Sequence, residues 1–343
     1  MDSEQNNTDF ETDFVLHRGN RANVREKKRT GWKIFIVIVI GLCMLAAGAL
    51  FVILIGTIAM FTSVPRDSFT EEVIRSGTRR NKIVLIDVQG IINQQQAQDF
   101  YQQLKRAQED DYVKGLIIRV NSPGGTVSGS DQIYNEILKY REDANKPVVA
   151  FMQGVAASGG YYVSVGCDKI IAEPTTITGS VGVIMGYLVL EQLLEEKLGI
   201  QPVISKSGMK KDWPSSFRIP TDEEKQYVQD KLIKPAYERF VGIVAKGRES
   251  LSLEEARVLS DGSVYGAKEA VDEKLIDGIG YLDEAIEEVM ALAEIKNAHV
   301  IEYERPFSFL SFLRSQGGNI LQFDRETLYE LSTPELLYLW SLY

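Results

Sequence analysis

The sequence predicts an α/β domain of parallel βαβ-type units behind a single membrane-spanning helix. Three observations predict it. Residues 34 to 64 carry no charge, and the run from Ile34 to Met60 exceeds the roughly 20 residues that cross a bilayer as a helix. Beyond it, short apolar runs alternate with stretches of helical spacing, the pattern of strands in a parallel sheet joined by helices. The composition, 44% hydrophobic and 25% charged over 343 residues, supports a buried core and excludes a disordered or collagen-like chain.

The head, residues 1–33, is polar and basic. Arg18, Arg21, Arg25, Lys27, Lys28, Arg29 and Lys33 precede the span, with Glu26 the acid among them, whereas Arg66, Asp67, Glu71 and Glu72 follow it. Positive charge on the N-terminal flank places the head in the cytoplasm and the bulk of the chain outside, at the cytoplasmic membrane. A secretory signal has an apolar core of about 7–15 residues near the start. Here the long polar head comes first, so 34–62 reads as an uncleaved signal anchor.

Residues 63–81 are polar and read as a linker or a first helix. Lys82–Val88 is a short apolar run, a buried strand; Gln95–Glu109 has helical spacing at Phe100, Leu104 and Ala107. Gly115–Val120 and Pro147–Met152 are strands on either side of a helix at Asp131–Arg141. Helical and strand readings continue through Ala157–Val165, Lys169–Ala172, Val181–Ile184 and Leu190–Leu198. Thr221 and Glu224 form a capping box that opens a helix to about Val244. Shorter helices follow at Leu253–Leu259, Ala267–Glu273 and Leu282–Leu292. The α/β domain thus spans 82–295. The tail, 296–343, carries Phe307, Phe309, Leu310, Phe312 and Leu313 and ends near Trp340 and Tyr343. It is expected to pack on the domain or a neighbouring subunit, with a membrane-surface contact or occupancy of the protein's own site as alternatives.

Several chemistries are excluded. A formal charge of −10 argues against a nucleic-acid binder that neutralises phosphates. Cys43 lies in the span and Cys167 in the domain, so they cannot pair, and two cysteines cannot build a thiolate metal site. Of the two histidines, His17 is across the membrane and His299 lies in a late polar stretch, so no Ser-His-Asp triad is expected. There is no H-E-x-x-H, no Walker P-loop and no G-x-G-x-x-G after a strand. Neither metal nor other cofactor is expected.

What remains is a serine activated by a lysine, since a buried amine can lose its proton and serve as base. Two places stand out. Gly154-Val155-Ala156-Ala157-Ser158-Gly159-Gly160-Tyr161-Tyr162 follows a strand and opens a helix, so Ser158 would sit at a tight turn with the Gly159 N–H beside it. Asn121-Ser122-Pro123-Gly124-Gly125 reads as a loop at a strand end, exposing backbone N–H groups suited to an oxyanion hole. Read alone, each is also an ordinary packing turn or loop.

In series, N-S-P-G-G, A-A-S-G-G-Y-Y, T-G-S-V-G-V-I (Thr178–Ile184) and K-S-G-x-x-K-D (Lys206–Asp212) resemble the bacterial signal peptide peptidase A family. These are membrane-anchored serine proteases whose fold is that of the Clp protease and the crotonases, with repeated β-β-α units. The resemblance runs from about Lys82 to Ala285, and Asp261-Gly262-Ser263-Val264-Tyr265 fits a further family element. It implies that Ser158 is the nucleophile, Lys211 the general base and Ser180 the group that orients the lysine. Gly125 and Gly159 would be the oxyanion donors, with Gly124 the near alternative. Lys206 and Lys210 lie close to Lys211, and the motif alone selects among them.

The resemblance further implies an endopeptidase that cleaves apolar peptides, including remnant signal peptides, and assembles into a homo-oligomeric ring. Three rivals share the fold: an acyl-CoA-handling crotonase, a catalytically inactive scaffold, and a protease specific for a stomatin-type membrane partner.

Overall fold

The computed structural model describes residues 30–62, 69–304 and 335–340. The basic head through residue 29, the Arg66–Asp67 flank and the Phe307–Leu313 cluster lie outside the described residues. The chain divides into two compact units, Met1–Ser63 and Val64–Tyr343. In the first, one helix, α1 (Thr30–Thr62), contains the Gly31–Thr57 stretch, long and apolar enough to cross a membrane and 0% buried. Its apolar residues go all round the axis, as a helix in hydrocarbon requires.

The second unit is built on one mixed sheet. In chain order its elements are β1 (Thr70–Arg75), β2 (Lys82–Ile92), α2 (Gln94–Glu109), β3 (Val113–Thr126), α3 (Val127–Ala144), β4 (Val148–Ala157), α4 (Gly159–Ser164), β5 (Lys169–Ala172), β6 (Ile177–Gly179), β7 (Ile184–Gly186), α5 (Asp222–Val228), α6 (Lys234–Gly247), α7 (Leu253–Val258), β8 (Val264–Gly266), α8 (Ala267–Asp272), β9 (Gly278–Ile279), α9 (Leu282–Leu292), β10 (His299–Glu304) and β11 (Glu335–Leu339). The main path runs β1-β10-β2-β3-β4-β5-β9. It is parallel from β10 to β9, and β1 closes it antiparallel.

The strands are continuous apolar runs because both faces are covered. Val84, Ile86, Ile118, Ala150 and Met152 pack on one side with α2, α3, α4 and α6. Ile83, Leu85, Ile117, Val149 and Phe151 pack on the other against Ala285, Ile286 and Val289 of α9. Thr221 and Glu224 form the expected capping box.

The tail packs on the domain, as expected: β10 pairs with β2, and β11 inserts beside β3 and β7. Three readings are corrected. The 63–81 linker contributes a strand to the sheet, β1, which pairs with β10. β1 reads T-E-E-V-I-R and is almost wholly exposed; a charged edge strand has no apolar run to betray it. The Asn121–Gly125 segment is not a loop but the continuation of β3, which runs to Thr126. No element spans Val181–Ile184: β6 ends at Gly179 and β7 starts at Ile184, because Ser180 has φ +50° and leaves the ladder.

Candidate active site

Ser158 stands where β4 gives way to α4. It has φ +51° and ψ −112°, a backbone state that costs a non-glycine residue on the order of 1–3 kcal/mol and persists only where the surroundings enforce it. Its N–H donates to the Gly179 carbonyl and its carbonyl accepts from the Tyr162 N–H, each at 2.8 Å. The two tyrosines lock the turn from beneath. Tyr161, fully buried, donates its hydroxyl to the Leu275 carbonyl at 2.9 Å, and Tyr162 donates to Asp131 Oδ1 at 2.5 Å. Burial, the largest influence on both hydroxyls, pushes them well above their ordinary range.

Parallel pairing of β4 with β6 sets Ala157 opposite Gly179. The next residue of each strand, Ser158 and Ser180, therefore emerges at the same carboxyl edge. Both line a cavity of about 430 Å³, whose wall includes Val181, Tyr237, Asp261 and Gly262. The Ser180 N–H donates to the Ser263 carbonyl at 2.7 Å, so the D-G-S-V-Y element holds Ser180 in place. β8 of that element pairs antiparallel with β6.

Three glycines meet behind the serine. A Cβ on Gly159 would lie 3.0 Å from Gly124 Cα and 3.1 Å from Gly125 N; a Cβ on Gly124 would lie 2.7 Å from Gly159 N. As the first residue of α4, Gly159 has an N–H with no intrahelical acceptor. Gly124 is different: its N–H donates to Ser122 Oγ at 3.0 Å. Gly125 lies in the ladder between β2 and β11, opposite Ile92 and Tyr338.

Lys211 does not line the cavity. It sits in a 3₁₀ turn, Met209–Asp212, and is exposed. The structure nevertheless separates three lysines that the sequence left side by side. Lys206 Nζ donates to both Asp212 carboxylate oxygens, at 2.7 and 2.8 Å. Lys210 Nζ lies over the Trp213 and Tyr227 rings, 5.1 and 4.7 Å from their centroids, and 3.9 Å from Glu223. Lys211 makes no ion pair among the described residues.

The other candidates lie elsewhere. His299 begins β10, its Nδ1 accepting from the Gly77 N–H at 3.3 Å. Cys167 is buried, and burial pushes its thiol well up. No group of side chains able to hold a metal ion occurs among the described residues.

The sequence reading did not name Tyr237 or Leu339, which line the cavity with Trp340 of the tail; a tail that occupies the protein's own site was among its alternatives. β11 runs antiparallel to β3, with Tyr338 opposite Gly125 and Leu339 opposite Gly124, and antiparallel to β7 on its other side. The Trp340 N–H donates to the Pro123 carbonyl at 2.8 Å. Tyr338 anchors the strand: fully buried, it stacks on Tyr162 with centroids 4.8 Å apart and donates its hydroxyl to Ala236 O at 2.9 Å. The aromatic composition of the tail was the available signal. A strand of the chain itself thus lies in the groove beside Ser158, in the manner of an added peptide strand. Trp340→Ala is expected to raise kcat/KM on short peptides by about three- to tenfold, by weakening an occupant held at high effective concentration; steady-state hydrolysis beside wild type checks this.

Two family models match the chain: Peptidase family S49 over residues 140–296 and Clp protease over 70–176. The Enterococcus faecium protein named "Putative signal peptide peptidase SppA" is 39% identical over 264 residues, covering 74% of this chain and 75% of that one. The chain belongs to the signal peptide peptidase A family. It is a serine peptidase of family S49 with a Clp protease-like α/β domain. The chloroplastic serine protease SPPA of Arabidopsis thaliana is 32% identical over 67% of the chain and 34% of that protein. Protease 4 of Salmonella typhi is 33% identical over 59% and 32%. Of the signal peptide peptidase A motifs, A-A-S-G-G-Y-Y and T-G-S-V-G-V-I contribute to the cavity wall; N-S-P-G-G packs against Gly159 through Gly124 and Gly125, and K-S-G-x-x-K-D lies outside the cavity.

Proposed function

We propose that this serine peptidase is a membrane-anchored endopeptidase with a Ser158–Lys211 dyad that cleaves apolar peptides, including signal-peptide remnants left in the bilayer. The observation that carries the dyad is the contrast among the lysines: Lys206 and Lys210 are engaged, and Lys211 alone offers an uncommitted amine. Neutral Lys211 accepts the Ser158 proton as Oγ attacks the peptide carbonyl. The Gly125 and Gly159 N–H groups take the developing oxyanion, and Lys211 then protonates the leaving amine and later activates water. Ser180, beside Ser158 at the same edge, orients the amine.

Because Lys211 is outside the cavity, it must be brought to Ser158. An assembly of copies supplies the means. The segment that carries Lys211 exposes Leu188, Val189, Leu193, Leu198, Val203, Ile204 and Met209, with Val203 90% exposed, and apolar surface of that kind is buried on association. The sequence-based expectation of a homo-oligomeric ring accords with this. The anchor is α1, with the basic head in the cytoplasm and the catalytic unit outside. Apolar substrate preference is supported by the cavity wall, where Val181, Val183, Ile184 and Leu339 lie beside the serine.

The test is hydrolysis of a fluorogenic apolar peptide by the full-length chain in detergent between about pH 6 and 9. Wild-type activity should rise with pH as the lysine deprotonates, and Lys211→Ala should lose at least about 10²-fold. Turnover by Lys211→Ala equal to wild type would remove the base from the proposal. No turnover by wild type in detergent or in liposomes would favour the inactive scaffold.

A further inference from the structure

Lys211 is followed directly by a carboxylate, Asp212, which ought to capture it. An aspartate beside an exposed lysine would hold the amine as an ammonium and spoil it as a base. The structure shows why that capture does not occur. Asp212 is only 11% exposed and already occupied: Lys206 Nζ donates to both its oxygens, and Arg218 Nη2 lies 3.5 Å from Oδ2. Arg218 is in turn held by a forked pair of hydrogen bonds to Glu224, 2.6 Å from Nη1 to Oε2 and 3.1 Å from Nη2 to Oε1. The Glu224 side chain is 1% exposed and also caps α5, accepting from the Thr221 N–H at 3.4 Å. Four side chains of alternating sign thus run from a buried anchor in α5, Glu224, through Arg218 and Asp212, the carboxylate next to Lys211, to Lys206.

We propose that Lys206, Arg218 and Glu224 form a positioning network that occupies the Asp212 carboxylate and so keeps the neighbouring Lys211 amine available as the base. This rests on the reading of Lys211 as the base. Lys206, the largest influence, and Arg218 hold the Asp212 carboxyl below its usual range, and Glu224 raises the Arg218 guanidinium. Asp212 and Arg218 therefore stay ionised across the working pH range. The other charged or titratable groups facing this turn are Lys210 on the turn itself, Glu223 and Tyr227 on α5, which meet Lys210, Tyr187, which feels Glu224, Arg218 and Lys225, and Lys225, which pairs with Asp222. None of them ion-pairs with Asp212 among the described residues.

The network has a consequence that a merely structural brace lacks. Removing the Lys206 charge uncovers Asp212, which then stabilises a protonated Lys211, so the rising limb of activity moves to higher pH. Removing the Asp212 charge as well abolishes that effect. Arg218→Met would leave a buried Glu224 without its cation, a change that can unfold the segment, so Lys206→Met is the variant of choice.

The experiment records kcat/KM against pH for the full-length chain in detergent as wild type, Lys206→Met, Lys206→Met/Asp212→Asn and Lys211→Ala. Lys206→Met should displace the rising limb upward by about half to one pH unit, with a several-fold loss at neutral pH. The double variant should return the limb to within about 0.3 unit of wild type. A Lys206→Met profile that superimposes on wild type would overturn the proposal. So would a double variant no better than Lys206→Met, which would make Lys206 itself the base or a simple brace. Full activity in Lys211→Ala would defeat the base assignment and this proposal with it, whereas an inactive Lys211→Ala beside an unshifted Lys206→Met would defeat this proposal alone.

Discussion

Ser158→Ala is expected to abolish peptide hydrolysis, lowering kcat/KM by at least about 10³-fold, while the melting temperature stays within about 2 °C of wild type. The two parts of the expectation have separate reasons. Activity is expected to depend on the Ser158 Oγ: of the other two serines in the cavity wall, Ser260 donates its hydroxyl to the Ala256 carbonyl at 2.6 Å and Ser180 stands one strand over, the residue expected to orient the lysine. Stability depends on the backbone of residue 158, whose N–H and carbonyl bond to Gly179 and Tyr162, and alanine keeps both. The positive φ is no worse for alanine than for serine, since either carries a Cβ. Residual turnover within tenfold of wild type, or a melting temperature lowered by about 5 °C or more, would show that the hydroxyl holds the turn rather than performs the chemistry.

Gly124→Ala is the second large effect, and it should lower activity and stability together. At φ +104°, an L side chain is strained wherever it points, and here the Cβ would lie 1.9 Å from the Tyr338 carbonyl oxygen and 2.7 Å from Gly159 N. Both are backbone, so neither can swing aside. Because Tyr338 anchors β11, the clash is expected to fall on the Gly159 N–H, which moves from its place behind Ser158. We expect a loss of about 10² in kcat/KM from the disturbed oxyanion donor and about 1–3 kcal/mol of stability from the strain. Gly266→Ala is the control: with φ −70° and open space around its Cβ, it should behave as wild type. Equal behaviour of the two variants in thermal unfolding and turnover would contradict the packing of the three glycines.

Much of this was legible in the sequence for a physical reason. Strands β2, β3, β4 and β5 are buried on both faces, so they appear as uninterrupted apolar runs at Lys82, Gly115, Pro147 and Lys169. Helix α1 was legible because its apolar run is long enough to span a bilayer and is unbroken by charge. The Ser158 turn was legible because Gly159 and Gly160, where a Cβ would clash, and the paired tyrosines, each with its own hydrogen bond, are needed at fixed positions. What escaped depends on pairing between distant segments. β1 is charged because it is an edge, and it acquires its strand conformation from β10, more than two hundred residues away. β11 acquires its place from β3 and β7. The Asn121–Gly125 segment contains proline and two glycines, which locally signal a turn, yet it continues β3 because β2 and β11 pair with it. Among Lys206, Lys210 and Lys211 the motif pointed to Lys211; beyond local reading were the groups the other two meet, Asp212 for Lys206 and the Trp213 and Tyr227 rings for Lys210.

The dyad is tested most directly by trapping its covalent intermediate. The full-length chain in detergent is mixed with an apolar peptide ester, quenched in acid within the first turnover, and mapped by mass spectrometry. The account predicts an acyl adduct on Ser158 in wild type, none in Ser158→Ala, and an acylation rate at least about 10²-fold lower in Lys211→Ala. An adduct on another residue, or acylation of Ser158 at the wild-type rate without Lys211, would contradict it.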